Sequence, residues 1–211
     1  MSKIGIFGTS GFAREVGDIA IAMDLCPIYI AQSQVEVNDW AFSGDVMLER
    51  NVGKYSDMSY VVGVGDNSTR RNIVMRFASD LKFSNLIHPS ATFGRGERDV
   101  IEMCHGLIVC AGVRFTNNIE VGNFSIFNLN STIGHDVTVG EFVNLAPGVH
   151  VSGNVVIGAS CTLGSGAVIN QGSNHKKIKI GSGTTIGSGS VVVSDCEANA
   201  VYVGVPAKQI K

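Results

Sequence analysis

The sequence predicts two folds in series, an α/β unit at the N-terminus and a parallel β-helix over the remainder. Three observations carry this expectation. Apolar residues recur every six positions from Val121 to Ile169 without a miss. Of the 26 glycines, 18 lie after Ser90, so the two parts differ in architecture. Before Ser90, short apolar runs alternate with helical patterns and glycine turns, the sign of a nucleotide-binding type of α/β unit.

The six-residue period belongs to neither a helix nor a simple strand. The anchors are Val121, Phe127, Ile133, Val139, Leu145, Val151, Ile157, Leu163 and Ile169. Glycine often follows them, as at Gly122, Gly134, Gly140, Gly158 and Gly164. Four residues after each anchor stands a small side chain or valine, such as Ser125, Val137, Cys161 or Ala167. Each hexapeptide is read as a short strand and a turn, three of them closing one triangular coil. Every eighteenth residue then stacks, so Val121, Val139 and Ile157 share one face. Phe127, Leu145 and Leu163 share the second, and Ile133, Val151 and Ile169 the third. Glycine is expected here for its backbone freedom. The pattern resumes at Ile180 and Ile186, with Thr184 and Ser190 in the small slots.

In chain order, Lys3 to Phe7 reads as a strand, Gly8-Thr9-Ser10-Gly11 as a tight turn and Phe12 to Met23 as a helix. Amide groups at such a helix start can hold a phosphate. Only Gly8 and Gly11 match the G-x-G-x-x-G pattern. The second strand, Pro27 to Ala31, ends in Ala31-Gln32, so the acidic ribose partner is missing where it is expected. Ser33 to Ser59 reads as polar and irregular, with apolar pieces at Trp40 to Phe42 and Val46 to Leu48. Tyr60 to Val64 is a third strand, Ser68 to Phe77 a helix and Phe83 to Ile87 a last strand. Gly8, Gly63 and Gly65 come together at the strand ends, and Arg70 and Arg71 are placed to neutralise a phosphate there or to sit as solvated charges. His88-Pro89-Ser90 marks the boundary, giving domains 1–88 and 89–211.

The coil is expected to begin imperfectly after Ala91, with Gly94 to Met103 irregular and Val109 and Phe115 in phase. Ile169 and Ile180 are 11 apart, so residues within Gln171 to Lys179 form a loop thrown out from one edge. The end, Val203-Gly204-Val205-Pro206-Ala207-Lys208, reads as an exit strand with a turn.

Composition bounds the function. A net charge of −2 speaks against a nucleic-acid partner. Charged residues make up 16%, against a usual share of about 25%, as stacked coils require. No leader pattern or membrane-length apolar run is present, and the five cysteines include no C-x-x-C pair. A reduced, cytoplasmic protein is expected. Cys161 falls in a small inward slot and reads as core filler.

His135 is the candidate catalytic residue. Two positions past Ile133, it should leave the coil and point outward, beside Asp136. An imidazole titrating near neutrality, with an unperturbed pKa of roughly 6.5, can take a proton from an amine or hydroxyl. An adjacent carboxylate can orient it. A lone exposed histidine with no role is the competing reading.

Hexapeptide repeats, His135-Asp136 and the ending Gly204-Val205-Pro206-Ala207-Lys208 resemble the left-handed β-helix acyltransferases. Gly8-Thr9-Ser10-Gly11-Phe12-Ala13, Val64-Gly65-Asp66-Asn67 and Ile87-His88-Pro89-Ser90-Ala91 narrow the resemblance to the PglD/NeuD-like branch. It spans essentially the whole chain. It implies an acetyl-CoA-dependent homotrimer with sites between subunits, no metal, and a nucleotide-linked amino sugar of surface polysaccharide or lipopolysaccharide synthesis as acceptor. By this resemblance His135 is the general base and Asp136 its helper. Gly153 matches a glycine whose amide faces the thioester. Ser165, Gly187 and Ser188 fall at coenzyme contacts, and Asn144 replaces a coenzyme-contacting histidine of some relatives. Ser10, Gly11, Phe12 and Gly65 match the nucleotide-sugar site, while Ala31-Gln32 departs from the Asp pair often found there.

Three other readings stand beside this one. A sialic acid O-acetyltransferase shares the same features. A zinc hydratase of β-helix type needs converging histidines, for which His105, His135 and His150 lack the close pair. A scaffold without catalysis uses the coil for assembly alone.

Overall fold

The computed structural model describes residues 2–54 and 58–211. The N-terminal part is a four-stranded parallel sheet. Its elements are β1 (Lys3–Phe7), α1 (Gly11–Ala22), β2 (Cys26–Ala31), α2 (Gln34–Asn38), β3 (Asp45–Leu48), β4 (Ser59–Val62) and α3 (Asn67–Phe77). The strand order is β3-β2-β1-β4. Each connection leaves the carboxyl end of one strand, and the order reverses between β1 and β4. Ligand crevices of open α/β sheets form at such a reversal.

The stretch read as irregular from Ser33 to Ser59 holds a helix, a paired edge strand and the 3-10 turn Glu49–Lys54. Val46 and Met47 pair with Tyr29 and Ile30. Their apolar run is too short to separate from a loop by periodicity alone. Tyr55, Ser56 and Asp57 within this stretch lie outside the described residues.

From Leu86 onward the chain is a left-handed β-helix with three parallel faces. The first face carries Leu86–Ile87, Ile108–Val109, Ile126–Phe127, Asn144–Leu145, Thr162–Leu163 and Thr185–Ile186. The second runs from Thr92–Phe93 through Arg114–Phe115, Thr132–Ile133, His150–Val151 and Val168–Ile169 to Val191–Val192. The third is Glu120–Val121, Thr138–Val139, Val155–Ile157 and Ile178–Ile180. The expected stacks are observed: Val121 on Val139 on Ile157, Phe127 on Leu145 on Leu163, and Ile133 on Val151 on Ile169. Ser125, Ser131, Val137, Val143, Cys161, Ala167, Thr184 and Ser190 are all buried inside. Each fully buried aliphatic anchor contributes about 1.5–3 kcal/mol relative to exposure. Cys161 is packed, and burial pushes its thiol up to about 11.

The glycines after the anchors are needed for a reason the sequence does not display. A Cβ on Gly134 would fall 2.6 Å from the amide nitrogen of Gly153, and one on Gly140 2.5 Å from that of Ala159. Close approach of the next coil excludes a side chain there. The left-handed backbone lies two residues later, at Phe124, Asn130, Asp136, Phe142, Asn154 and Ser160.

Three departures from the eighteen-residue rung are visible, one of them a shortening to 16 residues where Ile186 pairs with Tyr202. Leu86 pairs with Ile108, 22 residues on, because the segment read as irregular folds as α4 (Glu97–Glu102). Ile157 pairs with Ile180, 23 residues on, because of the loop at 171–179. The strand read over Phe83 to Ile87 is divided. Phe83 bridges to Tyr60 of the N-terminal sheet, while Leu86–Ile87 forms the first rung of the coil. The exit strand Val201–Val203 turns back antiparallel on Lys208–Gln209 and closes the first face.

Arg70 and Arg71 do not face a phosphate. Arg70 is 1% exposed and donates to the carbonyls of Val64 and Gly65 on its own side. It also donates to Asn67 Oδ1 on its own helix and, across the interface, to the carbonyls of Phe124 (2.8 Å) and Phe142 (3.0 Å) in the coil. Arg71 donates to Ser160 Oγ and lies 4.2 Å over the Phe142 ring. Asn67 Nδ2 donates to the carbonyls of Ser160 and Cys161. Unsatisfied coil-corner carbonyls drew these side chains, since buried acceptors must be paired.

Candidate active site

His135 and Asp136 occupy the corner between the second and third faces. Asp136 takes the left-handed turn with φ of 60°, a conformation that Asp and Asn tolerate better than most residues. That turn brings its carboxylate onto the neighbouring ring, with His135 Nδ1 2.6 Å from Asp136 Oδ2. Asn118, one coil earlier, donates through Nδ2 to Asp136 Oδ1 at 2.6 Å. These two hydrogen bonds, Asn118's first, hold the Asp136 carboxyl below its ordinary pKa. An ionised carboxylate only accepts, so Nδ1 is the donor and the Nε2 lone pair is left for chemistry. The His135 side chain is 49% exposed, as a coil-corner residue should be.

Gly153, on the following coil, lies under the ring. A Cβ there would fall 2.5 Å from His135 Nε2. The loop at 171–179 folds back to the same corner, where Lys177 Nζ donates to the Asp136 carbonyl at 2.8 Å. Ser165 and the pair Gly187-Ser188 sit at corners on successive coils, with Gly189 N donating to the Ser165 carbonyl and Gly187 N to that of Tyr202. Asn144 stands on the first face, away from His135, and donates to the Gly65 carbonyl at 2.9 Å.

A cavity of about 180 Å³ opens at the β1–β4 reversal. Gly8, Thr9, Ser10, Gln32, Glu36, Val64 and Thr69 are among its walls. Gly8 needs its freedom, since its φ is 120°. Ser10 is the N-cap of α1, yet its hydroxyl makes no capping bond and is exposed. Gly11 opens the helix, and Phe12 is half-buried against the core. Gly65 borders the interface with the coil, where its carbonyl accepts from Arg70 and Asn144.

An acidic side chain does stand beside the end of β2, brought there by α2. Glu36 Oε2 accepts from Thr9 Oγ1 at 2.9 Å and from the Gln32 amide at 3.1 Å, at the mouth of this cavity. Ser33 caps α2 through the Glu36 amide. The signal was present as Ser33-Gln34-Val35-Glu36, a capping-box spacing. Arg70 and Asn67 carried no comparable signal, because their partners are carbonyls distant in the chain. Among the described residues, no three His, Cys, Asp or Glu side chains gather to hold a metal ion, and no helix is long and apolar enough to cross a membrane.

Comparison with known proteins agrees with this fold. Residues 3–77 match the PglD N-terminal domain, and residues 136–171 match the bacterial transferase hexapeptide family of six repeats. No curated protein matches the chain. Among solved structures, the acetyltransferase domain of PglB from Neisseria gonorrhoeae FA1090 is 27% identical, with all of both chains covered and a TM-score of 0.83. PerB from Caulobacter crescentus, in complex with CoA and GDP-perosamine, is 25% identical, with 100% of this chain and 98% of that one covered and a TM-score of 0.84. WeeI from Acinetobacter baumannii AYE shares the fold at 24% identity, full coverage of both chains and a TM-score of 0.84. The chain thus joins a PglD N-terminal domain to a coil of hexapeptide repeats, in a left-handed β-helix fold that it shares end to end with these solved structures.

Proposed function

We propose that the protein is an acetyl-CoA-dependent N-acetyltransferase that acts on the amino group of a nucleotide-linked 4-amino-deoxy sugar. The observation that carries this reading is the oriented base. Asp136 holds Nδ1 of His135, and the ring packs against Gly153, where any Cβ would stand 2.5 Å from Nε2. The PglB domain has also been solved in complex with acetyl coenzyme A, and PerB with CoA and GDP-perosamine.

In this mechanism Nε2 accepts the proton of the sugar amine as its nitrogen attacks the thioester carbonyl. The C–N bond forms, the C–S bond breaks, and the imidazolium returns a proton to the departing sulfur. The Gly153 amide stabilises the oxyanion. Ser165, Gly187, Ser188 and Asn144 line the coenzyme's path along the coil. Ser10, Gly11, Phe12 and Gly65, joined by Glu36, hold the nucleotide sugar within domain 1–88. A carboxylate in that cavity suits a ribose diol or a base N–H.

The site needs a second copy of the chain. The N-terminal domain packs over the first face and the corner leading into it, through Asn67, Arg70 and Arg71. His135 stands at the corner opposite that face. A sugar held at Ser10 reaches a His135 only if another subunit brings it, and a homotrimer closes that arrangement. We place the enzyme in the cytoplasm beside its acetyl-CoA, upstream of surface polysaccharide assembly.

The deciding experiment offers acetyl-CoA with dTDP-, UDP- or GDP-linked 4-amino sugars and with free sialic acids. N-acetylation of a nucleotide sugar is expected. Turnover of sialic acid alone would replace this reading with an O-acetyltransferase, and coenzyme binding without any turnover would leave a scaffold. A monomeric mass by light scattering at micromolar concentration would end the shared-site arrangement.

A further inference from the structure

We propose that Asn118 is a positioning residue for the His135–Asp136 pair, and that buried Glu97 holds Asn118 in place for it. The inference rests on His135 as the base. Asp136 has two carboxylate oxygens, and each has one side-chain donor: His135 Nδ1 on Oδ2 and Asn118 Nδ2 on Oδ1, both at 2.6 Å. With a single donor the carboxylate is free to swivel about its last torsion. Donors on opposite oxygens fix its plane, and the imidazole follows.

Asn118 is itself held from behind. Its amide donates to Glu97 Oε1, and the Ile119 amide donates to Glu97 Oε2 at 3.3 Å. Glu97 is 7% exposed and sits at the start of α4, the helix inserted into the first coil. A buried carboxylate is costly unless hydrogen-bonded, so these two amides and Glu97 hold one another in register. Lys177 closes the other side by donating to the Asp136 carbonyl. The chain Glu97, Asn118, Asp136, His135 thus runs from a buried anchor to the reacting nitrogen.

The competing explanation is that Asn118 is only a left-handed corner residue. Its φ is 56°, and Asn130, Asn154 and Asn199 occupy the same conformation at other corners. Two variants separate the explanations. Asn118→Gly keeps the left-handed backbone without strain and removes the donor. Asn118→Asp keeps shape and backbone preference but faces Asp136 with a second carboxylate. Positioning requires that both lower kcat, Gly by roughly tenfold and Asp by more, with the KM of both substrates within about twofold. It also requires that Asn118→Gly costs nothing further in an Asp136→Ala background, the non-additivity of residues acting as one unit. Ring 15N shifts of His135 in the free enzyme should show the Nδ1–H tautomer in wild type and a mixture in Asn118→Gly.

Wild-type kcat and tautomer in Asn118→Asp would overturn the proposal, as would an equal loss from Asn118→Gly with and without Asp136. A His135→Ala enzyme with full kcat would instead sink the base assignment. The tautomer measurement would then still report whether Asn118 orients the ring.

Discussion

The imidazole of His135 packs against Gly153 at the place where any other residue would carry its Cβ. A Cβ at 153 would stand 2.5 Å from Nε2 and 2.6 Å from Cε1. The contact joins consecutive coils across one corner, so the rung spacing of the β-helix sets where the proposed base sits.

Gly153→Ala should therefore displace the base and leave the coil intact. The clashing group is the end of a side chain free to rotate outward. We expect kcat to fall roughly ten- to hundredfold, since misplacement by about 1 Å is known to cost that much. Thermal unfolding should move by no more than a few degrees. A drop in melting temperature with kcat preserved would refute the placement.

His135→Ala should slow the chemical step by roughly a hundredfold to ten-thousandfold. Asp136→Asn should cost less, because it removes orientation and charge but leaves the ring. Circular dichroism and subunit mass should match wild type, since the ring is half exposed. Near wild-type kcat for His135→Ala at pH 7.5 would move the search to His88 or His150.

Glu36→Ala should raise the KM for the nucleotide sugar and leave acetyl-CoA affinity alone. A hydrogen bond to a charged group contributes about 1.5–3 kcal/mol, so an increase of at least tenfold is expected. Gly11→Val should act on the same substrate. Calorimetric titration with each substrate separately reads this directly, and equal loss of both affinities would mean disturbed folding.

Arg70→Met should destabilise the protein by at least about 3 kcal/mol, because it strands several buried carbonyls at once. Arg70→Lys should rescue little, as one ammonium cannot reproduce the planar fork of donors. Urea unfolding of both variants measures this. Retained stability in Arg70→Met would mean the two domains do not depend on the clasp.

Asp66 caps α3, accepting from the Thr69 amide and the Ser68 hydroxyl, and these bonds lower its pKa from 3.8 to about 2. A depressed folded pKa means stability that is present above the unfolded value. It is lost as the pH falls from 3.8 through about 2. Asp66→Ala should thus cost about 1 kcal/mol at neutral pH. The difference from wild type should shrink across that acidic window, as followed by denaturation at stepped pH.

The six-residue period determined the coil, its three faces and the outward projection of His135, because inward anchors and small slots repeat in the chain itself. Strand, glycine turn and helix determined the first βα unit equally well, since each depends on neighbours in sequence. Sequence adjacency also named the His135-Asp136 pair. What remained needed distant residues to meet. Glu36 stands five residues past the end of β2 and becomes an acidic partner of Thr9 only when α2 folds back. Arg70 was open to two readings, a phosphate partner or a solvated charge, and it is neither, because the carbonyls of Phe124 and Phe142 claim it. The glycines after the anchors looked like sites of backbone freedom, whereas the next coil's approach is what excludes a side chain. Glu97 and Asn118 reach the site only because α4 and an earlier coil stack beside it. Periodicity is local and can be read along a chain. Hydrogen bonds between coils and across the domain interface depend on three-dimensional juxtaposition, and only the tertiary structure decides them.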